Sequence, residues 1–283
     1  MKRLFTFGCS HTNHGYPTWA NILAEEFDKH FNFGLEGSGP FYLFNQISNL
    51  IKHKDKWNLS KDDYFVFLIP EENRHDVVVN YRGWDENAHD EEQFITNTIH
   101  NDCEKWYTKK YKMEFSHLDG LIKTTLYVES IIRLLQSHGL NYKIMTALDG
   151  ADLHPHWKYE KYIGNLRNLI GDYEPLQTIG RNFKEKEIHY YFLNDKGELE
   201  MDGHWIIPIH LEFVKSNFDF YKETNVDKYL DIHESITKTN VFRFEMKEQE
   251  MILNKNEYGA RYHYSYWPGG GLFIGSQNKL LPT

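Results

Sequence analysis

Four short segments hold residues that could do chemistry together. Gly8-Cys9-Ser10-His11-Thr12 follows an apolar run that begins at Arg3. A serine directly after a buried strand, on a tight turn toward a helix, is placed as an exposed nucleophile whose N–H lies near the positive helix start. A serine in that place also serves as a helix cap. Asn32-x-Gly34-x-x-Gly37 is rich in glycine, which lets a backbone N–H approach a ligand closely. Pro70-Glu71-Glu72-Asn73-Arg74 sets an amide after the apolar run 64–69, where it could donate to a developing oxyanion. Asparagine is equally an ordinary turn residue. Asp202-Gly203-His204-Trp205 puts a carboxylate two residues from an imidazole, and His210 follows His204 by six. A carboxylate at that spacing can reach the ring N–H, fix the tautomer and stabilise the imidazolium.

The elements that must position these residues alternate along the chain. Residues 3–8, 64–69 and 142–147 are short apolar runs that read as buried strands, and 189–193 reads as a strand or extended piece. Residues 17–30, 41–51, 117–138 and 208–221 carry apolar positions at helical spacing, and 32–39 reads as a glycine-rich loop. Residues 71–116 are polar and aromatic with weak periodicity and read as an insertion; 151–186 is mixed. The last sixty residues change character, so an appendage of extended segments is expected over 226–283, beside an α/β domain over 1–225. Strand and helix in alternation predict a three-layer α/β/α fold with a mostly parallel central sheet. In such sheets ligands bind at the carboxyl ends of the strands.

The 283 residues carry 41 Asp plus Glu against 32 Lys plus Arg, a net charge of −9. That balance argues against a broad nucleic-acid surface. No apolar stretch is long enough for a membrane span, and the N-terminal apolar run is too short for a signal peptide. Two cysteines, Cys9 and Cys103, make no disulfide framework, so a reducing interior or a particle assembled there is the expected compartment. Cys9 is expected to point inward and Cys103 to be inert. Sixteen histidines raise a metal site at His11, His14 and His204, but neither HExxH nor paired CxxC is present, and no metal or cofactor is expected.

In their order, the four segments resemble the sequence blocks of the SGNH, or GDSL-type, hydrolases over roughly residues 1–222. The Gly-x-Ser after the first strand, Asn32-x-Gly34-x-x-Gly37, the Asn73 segment, and Asp202-x-His204 with His210 correspond to the first, second, third and last blocks. The resemblance implies a flavodoxin-like sheet, Ser10 as nucleophile, His204 as base and Asp202 as its orienter. The Ser10 and Gly37 N–H groups and the Asn73 amide would form the oxyanion hole. The implied substrate is an O-acyl ester such as an acetylated glycan; Arg74 could grip an anionic substrate or form a plain surface salt bridge, and His11 is a second candidate to touch substrate. Cys9 stands where the family has Asp, the third block lacks its Gly, and Trp205 replaces the Pro after the histidine. Gly-Cys-Ser-His-Thr with long aromatic insertions is similar to versions in genomes of large bacteriophages and marine microbes. Tyr81, Trp84, Trp106 and Tyr107 in the insertion could wall a sugar site or fill space against the core. Asp152 and His154 form a reserve pair. The alternatives are a catalytically silent binding or virion structural protein on the same scaffold, docking a homo-oligomer or virion partner through 226–283, and a metal-dependent phosphodiesterase.

Overall fold

The computed structural model describes residues 2–35, 37–70, 74–81, 91–98, 117–147, 166, 168–170, 172–183, 188–193, 198–239, 260–266 and 272–278. Its centre is a four-stranded sheet of β1 (Arg3–Gly8), β2 (Lys29–Gly34), β3 (Tyr64–Ile69) and β6 (Asn141–Thr146), in the order β2-β1-β3-β6 with every pairing parallel. Between β3 and β6 the chain forms β4 (Arg74–Tyr81) and β5 (Glu91–Thr98), paired antiparallel within the expected insertion.

Strand periodicity sends alternate side chains to opposite faces. Leu4, Val66, Leu68 and Met145 bury against α1 (Trp19–Ala24), α5 (Leu176–Asn182), α6 (Ile207–Asn217) and α7 (Val226–Thr239). Phe5, Phe7, Phe65, Phe67 and Ile144 bury on the other face, against α2 (Pro40–Lys52), Trp57 of the short α3 (Lys54–Trp57) and α4 (His117–Ser137). This is the expected three-layer arrangement. Parallel register aligns the rings of the second face into two rows. Phe5 stacks on Phe31 at 4.9 Å and on Phe65 at 4.7 Å, and Phe7 stacks on Phe33 at 5.1 Å and on Phe67 at 4.3 Å. Arg3 fixes the start of β1 by forking onto both Asp63 carboxylate oxygens at 2.6 Å.

Four expectations shift. The helix predicted over 17–30 stops at Ala24, because Phe31 and Phe33 are needed at a two-residue spacing beside Phe5 and Phe7. Asn32 and Gly34 therefore lie on β2, not in a loop. The predicted last core helix ends at Asn217 rather than residue 221. The start of the expected extended appendage is helical: α7 buries Tyr229 and Ile236 against the domain, and the Tyr229 hydroxyl donates to Asn21 O. Further on, β9 (Ala260–Tyr266) and β10 (Leu272–Asn278) pair antiparallel. Among the described residues no helix is long and apolar enough to cross a membrane.

β1 ends where backbone layers approach closely. A Cβ added to Gly8 would lie 2.0 Å from Thr12 Oγ1, 2.9 Å from Thr12 Cβ and 3.0 Å from Leu68 O. Gly8→Ala is expected to destabilise by about 1–3 kcal/mol through overpacking. Urea titration checks this; an unchanged midpoint would mean that the turn after β1 gives way freely.

Candidate active site

Asp202 and His204 lie on β8 (Leu199–Trp205), which pairs antiparallel with β7 (His189–Leu193) as a separate two-stranded sheet. Two residues along a strand share a face, so the two side chains meet: His204 Nδ1 lies 2.6 Å from Asp202 Oδ1. Trp205, at the end of β8, rests on Gly180, where a Cβ would stand 2.8 Å from the indole.

The turn after β1 closes on this pair. The Thr12 and Asn13 N–H groups both donate to Cys9 O, at 2.8 and 3.2 Å. The following residues carry His14 and Tyr16 to the second carboxylate oxygen: His14 Nε2 lies 3.1 Å and the Tyr16 hydroxyl 3.0 Å from Asp202 Oδ2. The His14 ring lies against His204 at 3.9 Å between centroids, and His11 meets His204 edge-on at 5.1 Å. Burial would raise the Asp202 carboxyl, but the hydrogen bonds from His14 and His204 hold it well below the usual carboxylate range. It is a fixed anion. Burial, opposed in part by Asp202, lowers His14 to about 4.

The expected residues are placed as follows. Ser10 sits in the turn after β1, but it is only 3 % exposed rather than open. No hydrogen bond among the described residues joins it to His204. Cys9 is fully buried, pointing inward as expected. Gly37 takes a left-handed φ of 73°, which favours glycine. Its loop is tied back to β1, since the Ser38 hydroxyl donates to Gly8 O at 2.9 Å and the Leu35 N–H donates to the same oxygen at 3.0 Å. Arg74 opens β4, half-buried, and its buried Nε has no hydrogen bond among the described residues. His11 is alike: Nδ1 is buried without a partner, and burial of the ring, with His204, His210 and Arg74 alongside, holds it neutral. Asn73, Trp84, Cys103, Trp106, Tyr107, Asp152 and His154 lie outside the described residues, as does the side chain of Tyr81.

Sequence reasoning weighed His14 only as a metal ligand and missed Tyr16 altogether. Their spacing of two in the loop after Ser10 was the only local signal. It also missed Asp76 on β4, which accepts from the Gly39 and Tyr42 N–H groups at 2.7 Å each and so caps α2 beside Gly37.

His210, on α6, is 1 % exposed, and among the described residues neither ring nitrogen makes a hydrogen bond of good geometry. Burial, with His14 and His204 nearby, lowers it to about 3. An unfolded histidine titrates near 6.5. Above that pH the ring is neutral in both states. Below it the unfolded chain takes up a proton that the folded chain refuses, so stability falls with pH by about 1.4 kcal/mol per unit until the folded value is reached. His210→Leu is expected to flatten this slope, making the loss between about pH 6.5 and 4.5 smaller by roughly 2 kcal/mol. Urea unfolding at the two pH values measures it; parallel slopes would mean that His210 is not held neutral.

No protein-family model matches the chain, and no curated protein matches it.

Proposed function

We propose that the chain is a serine ester hydrolase in which Ser10 is the nucleophile, His204 the general base and Asp202 its orienter. The observation that carries this reading is the 2.6 Å contact between His204 Nδ1 and Asp202 Oδ1, delivered beside the turn that bears Ser10. The Asp202 anion keeps the proton on Nδ1 and leaves the Nε2 lone pair to accept the Ser10 proton. Ser10 Oγ attacks the acyl carbonyl as His204 takes that proton. The imidazolium then protonates the leaving alcohol, and water reverses the path to release the acid. The Ser10 and Gly37 N–H groups and the Asn73 amide are assigned to the oxyanion, Arg74 and His11 to the substrate. An O-acyl ester, with acetylated carbohydrate as the favoured class, is the proposed substrate.

The second reading, a silent binding or virion structural protein, is favoured by one observation: Ser10 is buried and not hydrogen-bonded to His204. Turnover of p-nitrophenyl acetate separates the two. The hydrolase reading expects an initial burst and one acetyl group on the intact protein. A folded chain that shows neither supports the silent scaffold.

A further inference from the structure

We infer that His14, Asp202 and His204 form a site for a single divalent transition-metal ion, and that its occupation switches the esterase off. Their ligand atoms all lie within 4.8 Å of one another. Two imidazoles and one carboxylate are a donor set suited to zinc. Bond lengths of about 2.0–2.1 Å set the edge of a zinc tetrahedron at about 3.3 Å. His14 Nε2 already stands 3.1 Å from Asp202 Oδ2, and His204 Nδ1 stands 2.6 Å from Oδ1. A single ion held by both imidazoles and one Asp202 oxygen leaves a fourth position open, and the three ligand atoms already lie within 4.8 Å of one another. The neighbouring groups suit it. Tyr16 donates to the carboxylate from the outer shell at 3.0 Å. The His14 and Asp202 side chains are 3 % and 4 % exposed while His204 is 18 % exposed, so the ion has a protein wall behind it and a water-facing fourth position.

The consequence for catalysis follows from the tautomer and rests on the esterase reading; binding itself does not. In the metal-free site His204 carries its proton on Nδ1. An ion on Nδ1 takes that lone pair, and the proton moves to Nε2. An imidazole with Nε2–H cannot accept the Ser10 proton, so the metal inverts the base. His14 likewise exchanges its Nε2–H for Nδ1–H, and no net proton is released by the two rings.

The test uses the full chain, stripped by chelator and free of any affinity tag. Zinc affinity is measured by competition with a chromophoric chelator, and ring nitrogens are followed by long-range proton–nitrogen spectra. Expected are one zinc per chain, His14→Gln weakening it about 100-fold or more, and a wild-type His204 proton that moves from Nδ1 to Nε2 on titration. His138→Gln, at an exposed histidine, should leave the affinity unchanged. No zinc bound at micromolar concentrations, equal affinity in His14→Gln, or a His204 proton that stays on Nδ1 overturns the site; the last needs no variant to fold. Zinc should also suppress p-nitrophenyl acetate turnover, with chelator restoring it. Absence of turnover in the metal-free protein counts against the esterase reading alone.

Discussion

Ser10→Ala is expected to lower kcat/KM toward p-nitrophenyl acetate by roughly 10⁴- to 10⁶-fold, the range over which loss of an activated serine leaves only binding and oxyanion stabilisation. The variant should fold as the wild type does. Ser10 is buried, and its hydroxyl anchors no described element, so deleting one oxygen removes little from the native state. The adjacent competing nucleophile is Cys9, which is fully buried. Cys9→Ala is therefore expected to cost stability rather than rate. A loss under tenfold in Ser10→Ala, with turnover present, would move the nucleophile away from this turn.

Asp202→Asn is expected to cost rate and stability together. The carboxylate accepts from His204 Nδ1 at 2.6 Å, from His14 Nε2 at 3.1 Å and from the Tyr16 hydroxyl at 3.0 Å. An amide keeps one oxygen and turns the other position into a donor, so at least one buried donor faces N–H. If the amide N–H faces His204, the ring is driven to carry its proton on Nε2, the wrong tautomer for accepting from serine. That error costs roughly 10⁴-fold in kcat in related chemistry. Loss of hydrogen bonds to a buried charge is worth about 3 kcal/mol. The pH dependence has a definite sign. The Asp202 carboxyl is depressed in the folded state, so its contribution is whole above the unfolded value near 3.9 and is lost as pH falls below it. The stability gap between wild type and variant should be full at neutral pH and should narrow in acid below about pH 4. Asp231→Asn, on an exposed position of α7, is the control and should show no gap. Equal stability at neutral pH would mean that the three donors find other acceptors.

What was legible in the sequence was local. Arg3–Gly8 and Tyr64–Ile69 read as strands because their apolar residues are contiguous, and a mostly parallel sheet follows from their alternation with helices. The Asp202–His204 pair was legible because a carboxylate two residues from an imidazole can reach its ring N–H. β2 was hidden because Phe31 and Phe33 are separated by polar residues and follow a helix-like run; only register beside Phe5 and Phe7 shows why they alternate. β8 was hidden because Leu199 and Met201 are 61 % and 53 % exposed and Gly203 interrupts the pattern. The clasp of His14 and Tyr16 on Asp202 joins positions 188 and 186 apart in sequence, which no local pattern encodes. The same holds for Asp76 capping α2. In α7, Tyr229, Ile232 and Ile236 had helical spacing, but it was masked by many charged neighbours and by the extended segments further on.

In the proposed mechanism His204, held by Asp202, activates Ser10. The most direct measurement is labelling of the wild-type chain with a fluorophosphonate, with the modified residue located by peptide mass. One phosphonyl group per chain is expected, on Ser10, with labelling that disappears in Ser10→Ala and slows sharply in Asp202→Asn. A folded wild-type chain that takes up no phosphonate, or takes it up at another residue, would contradict it.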